Sequence, residues 1–141
     1  MASIFTRIID GELPARFLWK DERCVAFLSI SPLKPGHALV VPRVEVDHWL
    51  DLDPSVMGHL IHVSQIIGQA QQSALRPEKI ALLIAGLEVR HVHLHLVPVV
   101  DLHDLDFERQ DRNPDPEMLD KAAAEIRAAL RERGRREVPE E

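Results

Sequence analysis

The sequence predicts an α+β fold: a mostly antiparallel sheet, one long helix and a C-terminal helix. Three observations carry that expectation. Short apolar or alternating runs follow the order strand, strand, strand, then a helix-length stripe, then strand, strand, and strands joined by tight polar turns favour antiparallel neighbours. Two segments repeat apolar residues at three- and four-residue steps, each directly behind an Asp-Pro pair, which is a helix-start signal. The chain has 141 residues, 45% hydrophobic and 28% charged, the size and composition of one globular domain. That domain is expected to comprise a core over residues 1–100, a loop and helix over 101–134, and a frayed tail over 135–141.

The elements follow in order. Phe17 to Ile30 reads as two strands broken at the charged turn Lys20-Asp21-Glu22-Arg23. Ser31-Pro32-Leu33-Lys34-Pro35-Gly36 is a loop by its prolines and glycine. His37-Ala38-Leu39-Val40-Val41-Pro42 is a strand whose proline marks an end or an edge. Asp53 caps a helix with Pro54 at its first position. Val56, Leu60, Val63, Ile67, Ala70 and Ala74 then form one stripe ending before Pro77. Ile80 to Ala85 is a nearly continuous apolar strand, and Gly86-Leu87-Glu88 is a turn. Val89 to Pro98 alternates polar and apolar residues like a half-buried strand. Asp101 to Pro114 reads as polar loop. Asp115-Pro116-Glu117 starts a second helix along Leu119, Ala123, Ile126 and Leu130, stopped by Arg133 and Gly134.

Composition narrows the function. A net charge of −6 argues against bulk nucleic-acid binding through counterion release, but a local site can still hold a small anion. One cysteine, Cys24, allows no intrachain disulfide and no Cys-rich zinc site; it reads as a small buried hydrophobe. There is no basic-then-apolar leader and no apolar run near membrane-spanning length, so the expectation is a cytoplasmic protein without a membrane partner.

The chemistry concentrates in His91-Val92-His93-Leu94-His95. On a strand, side chains alternate between faces, so the three imidazoles share one face and Val92, Leu94 and Leu96 the other. Imidazole titrates nearest neutrality and serves as nucleophile, proton donor or metal ligand. Three readings follow from the residues alone. Two imidazoles about 6.8 Å apart along a strand can converge on one metal, whereas the outer pair, about 13 Å apart, cannot without a bend. Alternatively one histidine attacks phosphorus while a neighbour steadies the phosphoryl oxygens. Or the row is packing. His37 opens an apolar strand after Pro35-Gly36, a turn that permits close backbone approach. His48, His59, His62 and His103 read as ordinary histidines; His59 and His62 lie three apart on one helix, but no third metal ligand is placed.

The motif His91-Val92-His93-Leu94-His95-Leu96-Val97 resembles that of the histidine triad (HIT) family of nucleotide-binding hydrolases and transferases, His-φ-His-φ-His-φ-φ with φ apolar. Residues 4–15, 26–32 and 35–43 resemble the family's preceding blocks, in order, and the resemblance spans about residues 3–100. It implies a HIT-like fold with about five antiparallel strands and a long helix, usually paired as a homodimer. It implies His93 as the nucleophile that becomes a nucleotidyl-histidine, His95 on the phosphate and leaving group, and His91 and His37 as supporting imidazoles. It also implies Ile4, Phe5, Ile8, Phe27, Leu28 and Ile30 as an apolar clamp on the base, Ser29 on the ribose, and Gly86, Leu87 and Glu88 as the phosphate loop. Four positions depart from the family. Its Cys-x-x-Cys and later histidine, which often hold zinc with the first triad histidine, are Ser3, Thr6 and Glu45 here, so no structural zinc and no cofactor are expected. Its acidic ribose contact is Ser29, its asparagine one strand back is Ile80, and its Gly-Gln-Ser or Gly-Gln-Thr is Gly86-Leu87-Glu88. Glu88 is expected to turn outward, paired with Arg90 or another cation.

The function expected is hydrolysis of a purine nucleotide conjugate, a phosphoanhydride or phosphoramidate, through His93 and without metal in the chemical step. A catalytically weak nucleotide- or partner-binding protein of the same fold is the alternative. A metal-dependent hydrolase using the triad as ligands comes third.

Overall fold

The structure is a computed structural model that describes residues 1–140, and in it five strands form one antiparallel sheet. The strands are β1 (Phe17–Lys20), β2 (Cys24–Leu28), β3 (Ala38–Pro42), β4 (Lys79–Ile84) and β5 (Leu94–Val99), in spatial order β1-β2-β3-β5-β4. Three helices accompany them: α1 (Ile4–Ile9), α2 (Pro54–Leu75) and α3 (Pro116–Glu132). The α+β class and the antiparallel sheet agree with expectation. Among the described residues, no helix is long and apolar enough to cross a membrane.

Both long helices start where their caps require. The Asp53 carboxylate accepts the Ser55 N–H at 2.8 Å, and the Asp115 carboxylate accepts the Glu117 N–H at 3.0 Å, each satisfying an otherwise unpaired first-turn donor. The apolar stripes of α2 (Leu60, Val63, Ile67) and α3 (Ala123, Ile126, Leu130) pack with Leu18, Ala26, Leu28, Val40, Leu94 and Leu96 on one sheet face. On the other face α1 lays Phe5 and Ile8 against Val25, Phe27, Leu39 and Val41. A smaller cluster joins Leu33, Val97 and Val99, with Leu105 and Phe107 against it.

Three expectations need correction. The histidine segment is not a half-buried strand from Val89. β5 begins at Leu94 and is buried throughout, because both faces of the sheet are covered there. The ladder to β3 pairs Ala38 with Leu96, Leu39 with His95 and Val40 with Leu94, then stops. Pro42 has no N–H to continue it, and its carbonyl instead accepts the His91 ring at 2.8 Å. Residues 101–114 are not plain loop. Asp101 and Asp104 form a reciprocal cap on a 3-10 turn, Leu102–Leu105, and Asp106 caps a second, Phe107–Arg109. The tail is held rather than frayed: the Glu137 carbonyl accepts the Lys20 N–H at 2.8 Å, and Val138 packs on the main core. Glu141, the last residue of that expected tail, lies outside the described residues.

Two local features fix the frame. The Asp21 carboxylate accepts Trp19 Nε1–H and bonds His59 Nε2, both at 2.7 Å, and accepts the Arg23 and Cys24 N–H groups at 2.8 Å. Burial raises its pKa, but these donors outweigh it and hold the carboxyl well below the usual range. His59 thereby ties α2 to the β1–β2 turn. Asp21 and Cys24 stand beside His59, where the sequence placed no further ligand; with its donors already in place, the carboxylate reads as a structural knot. Burial, then Asp21, pushes the Cys24 thiol up, as befits an inert core cysteine.

Gly36 has φ +88°, and a Cβ there would meet Leu75 Cδ1 at 2.3 Å. The Gly36 carbonyl accepts the buried Gln71 side chain at 2.9 Å, which also donates to the Leu96 carbonyl at 3.0 Å. Gly36→Ala is therefore expected to destabilise the fold by about 2 kcal/mol through left-handed strain and displacement of Leu75. A urea unfolding midpoint equal to wild type would show that the loop has an unstrained alternative.

Candidate active site

Hydrogen-bond partners determine which nitrogen of each imidazole carries its proton. Leu33 N–H donates to His37 Nδ1 at 3.0 Å, so in the neutral ring the proton sits on Nε2. His37 Nε2 lies 2.9 Å from His95 Nδ1. His37 therefore donates, His95 Nδ1 accepts, and the remaining proton of His95 is on Nε2. His93 Nδ1 lies 2.7 Å from the His91 carbonyl. A carbonyl only accepts, so His93 holds its proton on Nδ1 and keeps its Nε2 lone pair free. His91 Nε2 donates to the Pro42 carbonyl, and its Nδ1 lies 2.7 Å from Ser3 Oγ.

These assignments require neutral rings, and burial supplies the condition. Desolvation, then the neighbouring His93, pushes His37 down to about 4. Desolvation, then His93 and His37, pushes His95 down to about 3. His91 and His93 are also lowered, chiefly by burial. Charged rings would set a second proton against the donors that His37, His95 and His91 accept at Nδ1.

His93 and His95, with ring centroids 4.8 Å apart, lie side by side in a cavity of about 270 Å³. Small-molecule sites start at roughly this size (about 300 Å³). The other walls are Ala85, Gly86, Leu87 and Glu88 on one side and Phe107 and Gln110 on the other. Gly86, at φ +75°, makes the turn that brings its loop over the histidines. The arrangement offers one nucleophilic nitrogen and one N–H donor next to each other, flanked by a polypeptide turn.

The sequence-expected residues divide accordingly. His93, His95, Gly86, Leu87 and Glu88 line the cavity; His37 and His91 are buried behind it. Phe5 contacts His93 edge to face with centroids 4.9 Å apart, and Phe27 packs on Phe5. Ile8 belongs to that same apolar cluster. Ile4 and Ile30 are exposed and do not wall the cavity. Ser29 Oγ accepts the Ser31 N–H at 3.2 Å, bracing the loop before His37. Leu28 is a correction: strand alternation turns it, with Cys24 and Ala26, into the helix-side core. Ile80 also packs on that side, so the asparagine it replaces has no counterpart at this cavity. The Glu88–Arg90 pair does not form; Arg90 reaches Asp47 at 4.0 Å, and Glu88 stands exposed at the cavity wall. Sequence reasoning missed Phe107 and Gln110. Phe107 lies with centroids 5.3 Å from His95, and Gln110 donates to the Ser31 carbonyl at 3.0 Å. The signal was Phe107, the one phenyl ring between Asp101 and Pro114.

Comparison with known proteins agrees with this fold. The family model "HIT domain" matches residues 10–102. An uncharacterised HIT-like protein of Saccharolobus solfataricus is 35% identical over 100 residues, 67% of this chain and 72% of that one. The adenylylsulfatase HINT3 of Arabidopsis thaliana is 30% identical over 100 residues, 67% of this chain and 51% of that one. The crystal structure of a zinc-bound histidine triad family protein from Mycobacterium smegmatis superposes with a TM-score of 0.82 at 28% identity, covering 95% of this chain and 96% of that one. With the matching model over residues 10–102, the shared fold and the histidine cluster at the cavity, the chain belongs to the HIT family.

Proposed function

We propose that the protein hydrolyses a purine nucleotide conjugate, a phosphoanhydride or phosphoramidate, through a nucleotidyl-histidine on His93. The observation that carries this reading is the free Nε2 lone pair of His93 beside the Nε2–H of His95 at one cavity. His93 Nε2 attacks the α-phosphorus and forms an N–P bond as the bond from phosphorus to the leaving atom breaks. The leaving group departs with the bonding pair, a phosphoanhydride giving an anion and an N-protonated phosphoramidate giving a neutral amine. His95 donates to the phosphoryl oxygens or the departing atom. Water then attacks phosphorus, keeping one proton on the new P–OH and losing the other to solvent or the released leaving group, as His93 leaves as a neutral imidazole with the monophosphate. The relative from Arabidopsis, named for adenylylsulfatase activity, supports an adenosine-linked substrate. No step requires a metal or a cofactor. We place the activity in the cytoplasm, in a homodimer; the exposed edge strand β4 is compatible with pairing.

The test is intact-protein and peptide mass spectrometry after a neutral denaturing quench during turnover of adenosine 5′-phosphoramidate. A mass gain of one nucleoside monophosphate on the peptide carrying His93 is expected. Turnover with the adduct elsewhere, or with none, would overturn the mechanism.

The second reading, a nucleotide-binding protein with weak catalysis, draws on the loop before the histidines. Leu87 is 75% exposed and offers no side-chain donor, and Glu88 brings a carboxylate to the wall. Because Glu88 is exposed, water screens its repulsion. Glu88→Ser is expected to raise kcat/KM less than about tenfold, or about 1.4 kcal/mol. A larger gain would show that the carboxylate faces the bound phosphate. Tight nucleotide binding without turnover by the wild type would favour the second reading.

A further inference from the structure

Behind the catalytic cavity, Ser3, Thr6 and Glu45 converge on the first histidine of the triad. Glu45 Oε1 accepts the Thr6 hydroxyl at 2.6 Å and the Ser3 N–H at 2.7 Å. Ser3 Oγ accepts the Thr6 N–H at 3.0 Å and lies 2.7 Å from His91 Nδ1. Each hydroxyl has one proton to give. That of Thr6 goes to the carboxylate. Ser3 Oγ is 3.3 Å from Thr6 Oγ1 but 2.7 Å from the imidazole, so its proton goes to His91 Nδ1. His91 Nε2–H is already donated to Pro42. The ring is thus held at both nitrogens, by α1 on one side and by β3 on the other.

The family resemblance implies a zinc ion held at these positions with the first triad histidine, and the related structure from Mycobacterium smegmatis is zinc-bound. The residues here do not fit one. Neutral hydroxyls replace thiolates, the ligands zinc prefers with imidazole. The ring nitrogen that a cation would need is already engaged: His91 Nδ1 accepts the Ser3 proton, and Glu45 Oε1 accepts from Thr6 and Ser3. A cation would have to displace the Ser3 proton to reach the ring.

We propose that Ser3, Thr6 and Glu45 form a metal-free hydrogen-bond clamp that locks the His91 ring and, through the His91 carbonyl, aims the attacking nitrogen of His93. Ser3 and Glu45 are positioning residues, since neither reaches the cavity. His91 is the link: its backbone oxygen holds His93 Nδ1–H at 2.7 Å, so freedom at the His91 ring becomes freedom at the nucleophile. The catalytic part of this inference rests on the proposed hydrolysis; the clamp itself does not.

Ser3 also caps α1, and two substitutions separate its tasks. Ser3→Asp keeps a cap acceptor but cannot donate to Nδ1. Ser3→Thr keeps both. Nitrogen-15 NMR of the unliganded protein reads the His91 tautomer without any substrate. Wild type and Ser3→Thr are expected to show a neutral ring protonated on Nε2 at pH 7, and Ser3→Asp a ring that has gained a proton on Nδ1. Ser3→Asp and Ser3→Ala should lower kcat about tenfold, the usual scale for losing an orienting partner, with KM changed less than twofold. Ser3→Thr should restore kcat. A wild-type His91 pattern in Ser3→Asp would overturn the clamp whether or not the protein turns over nucleotides. One equivalent of bound zinc that is lost in Glu45→Ala would overturn its metal-free character. Absence of turnover in the wild type, with the expected NMR pattern, would fault the hydrolase reading and not the clamp.

Discussion

His93→Ala is expected to lower turnover of adenosine 5′-phosphoramidate by at least about a thousandfold, the scale seen when a covalent nucleophile is removed. The expectation follows from the tautomer. His93 gives its Nδ1–H to the His91 carbonyl, and this leaves Nε2 as the unprotonated nitrogen at the cavity. His95 cannot take over the attack, because its Nδ1 lone pair is occupied by His37 and its Nε2 bears the proton. Without an attacking nitrogen the two-step path reverts to direct attack by water. Nucleotide binding should survive, since His95, the 86–88 loop, Phe107 and Gln110 still enclose the cavity. Steady-state rates with calorimetric titration of a monophosphate check both halves. Turnover equal to wild type would end the assignment of His93.

The second large effect is acid destabilisation centred on His37. In the unfolded chain this imidazole titrates near 6.5; in the fold, burial and the neighbouring His93 push it down to about 4. The folded-state pKa is depressed, so the unfolded state binds the extra proton first. The stability linked to this group is complete above pH 6.5 and is lost as pH falls through the window between 6.5 and about 4. Between pH 7 and pH 4.5 His37 alone should cost about 2 to 3 kcal/mol. His95, pushed down to about 3, acts in the same direction, though the two rings share one hydrogen bond and their effects are not additive. Urea unfolding at the two pH values tests this. His37→Asn is expected to be less stable at pH 7 and to show a shallower pH dependence. An equal slope in both proteins would place the acid sensitivity elsewhere.

Much of this architecture is legible in local chemistry. Asp53-Pro54 and Asp115-Pro116 mark the two long helices because capping is decided within a few residues, and both carboxylates bond the expected N–H groups. The charged turn between β1 and β2 is equally local. The misreadings share another cause: they depend on what lies across the sheet. Whether β5 is half-buried depends on Leu33, from the loop before β3, and on Leu105 and Phe107, from the segment after β5, covering its second face. The start of β5 depends on Pro42, a residue on the neighbouring strand. The family resemblance implies Leu28 and Phe27 on one pocket wall, yet neighbours on a strand face opposite ways, and the structure puts Leu28 in the helix-side core. α1 has six residues, too few for a period to show. Phe107 and Gln110 reach the histidines only because Asp101 and Asp106 fold a polar stretch into two short turns. The histidines themselves needed no such help, but their proton positions did, since these come from Leu33, Pro42 and Ser3 in distant segments.

The early end of the β3–β5 ladder divides the chemistry between two kinds of backbone. His95 is stitched into the sheet on both sides, opposite Leu39 and Leu83. His93 comes two residues earlier, before the stitching begins. The donor is therefore mounted on the paired sheet, while the attacking ring rides on a segment held by the Val92 N–H on the Val46 carbonyl, the His91 ring on the Pro42 carbonyl and the His93 ring on the His91 carbonyl. The aim of the attacking nitrogen is thus set by individual hydrogen bonds outside the ladder, where one substitution can alter it, and the place of the donor is set by the ladder itself.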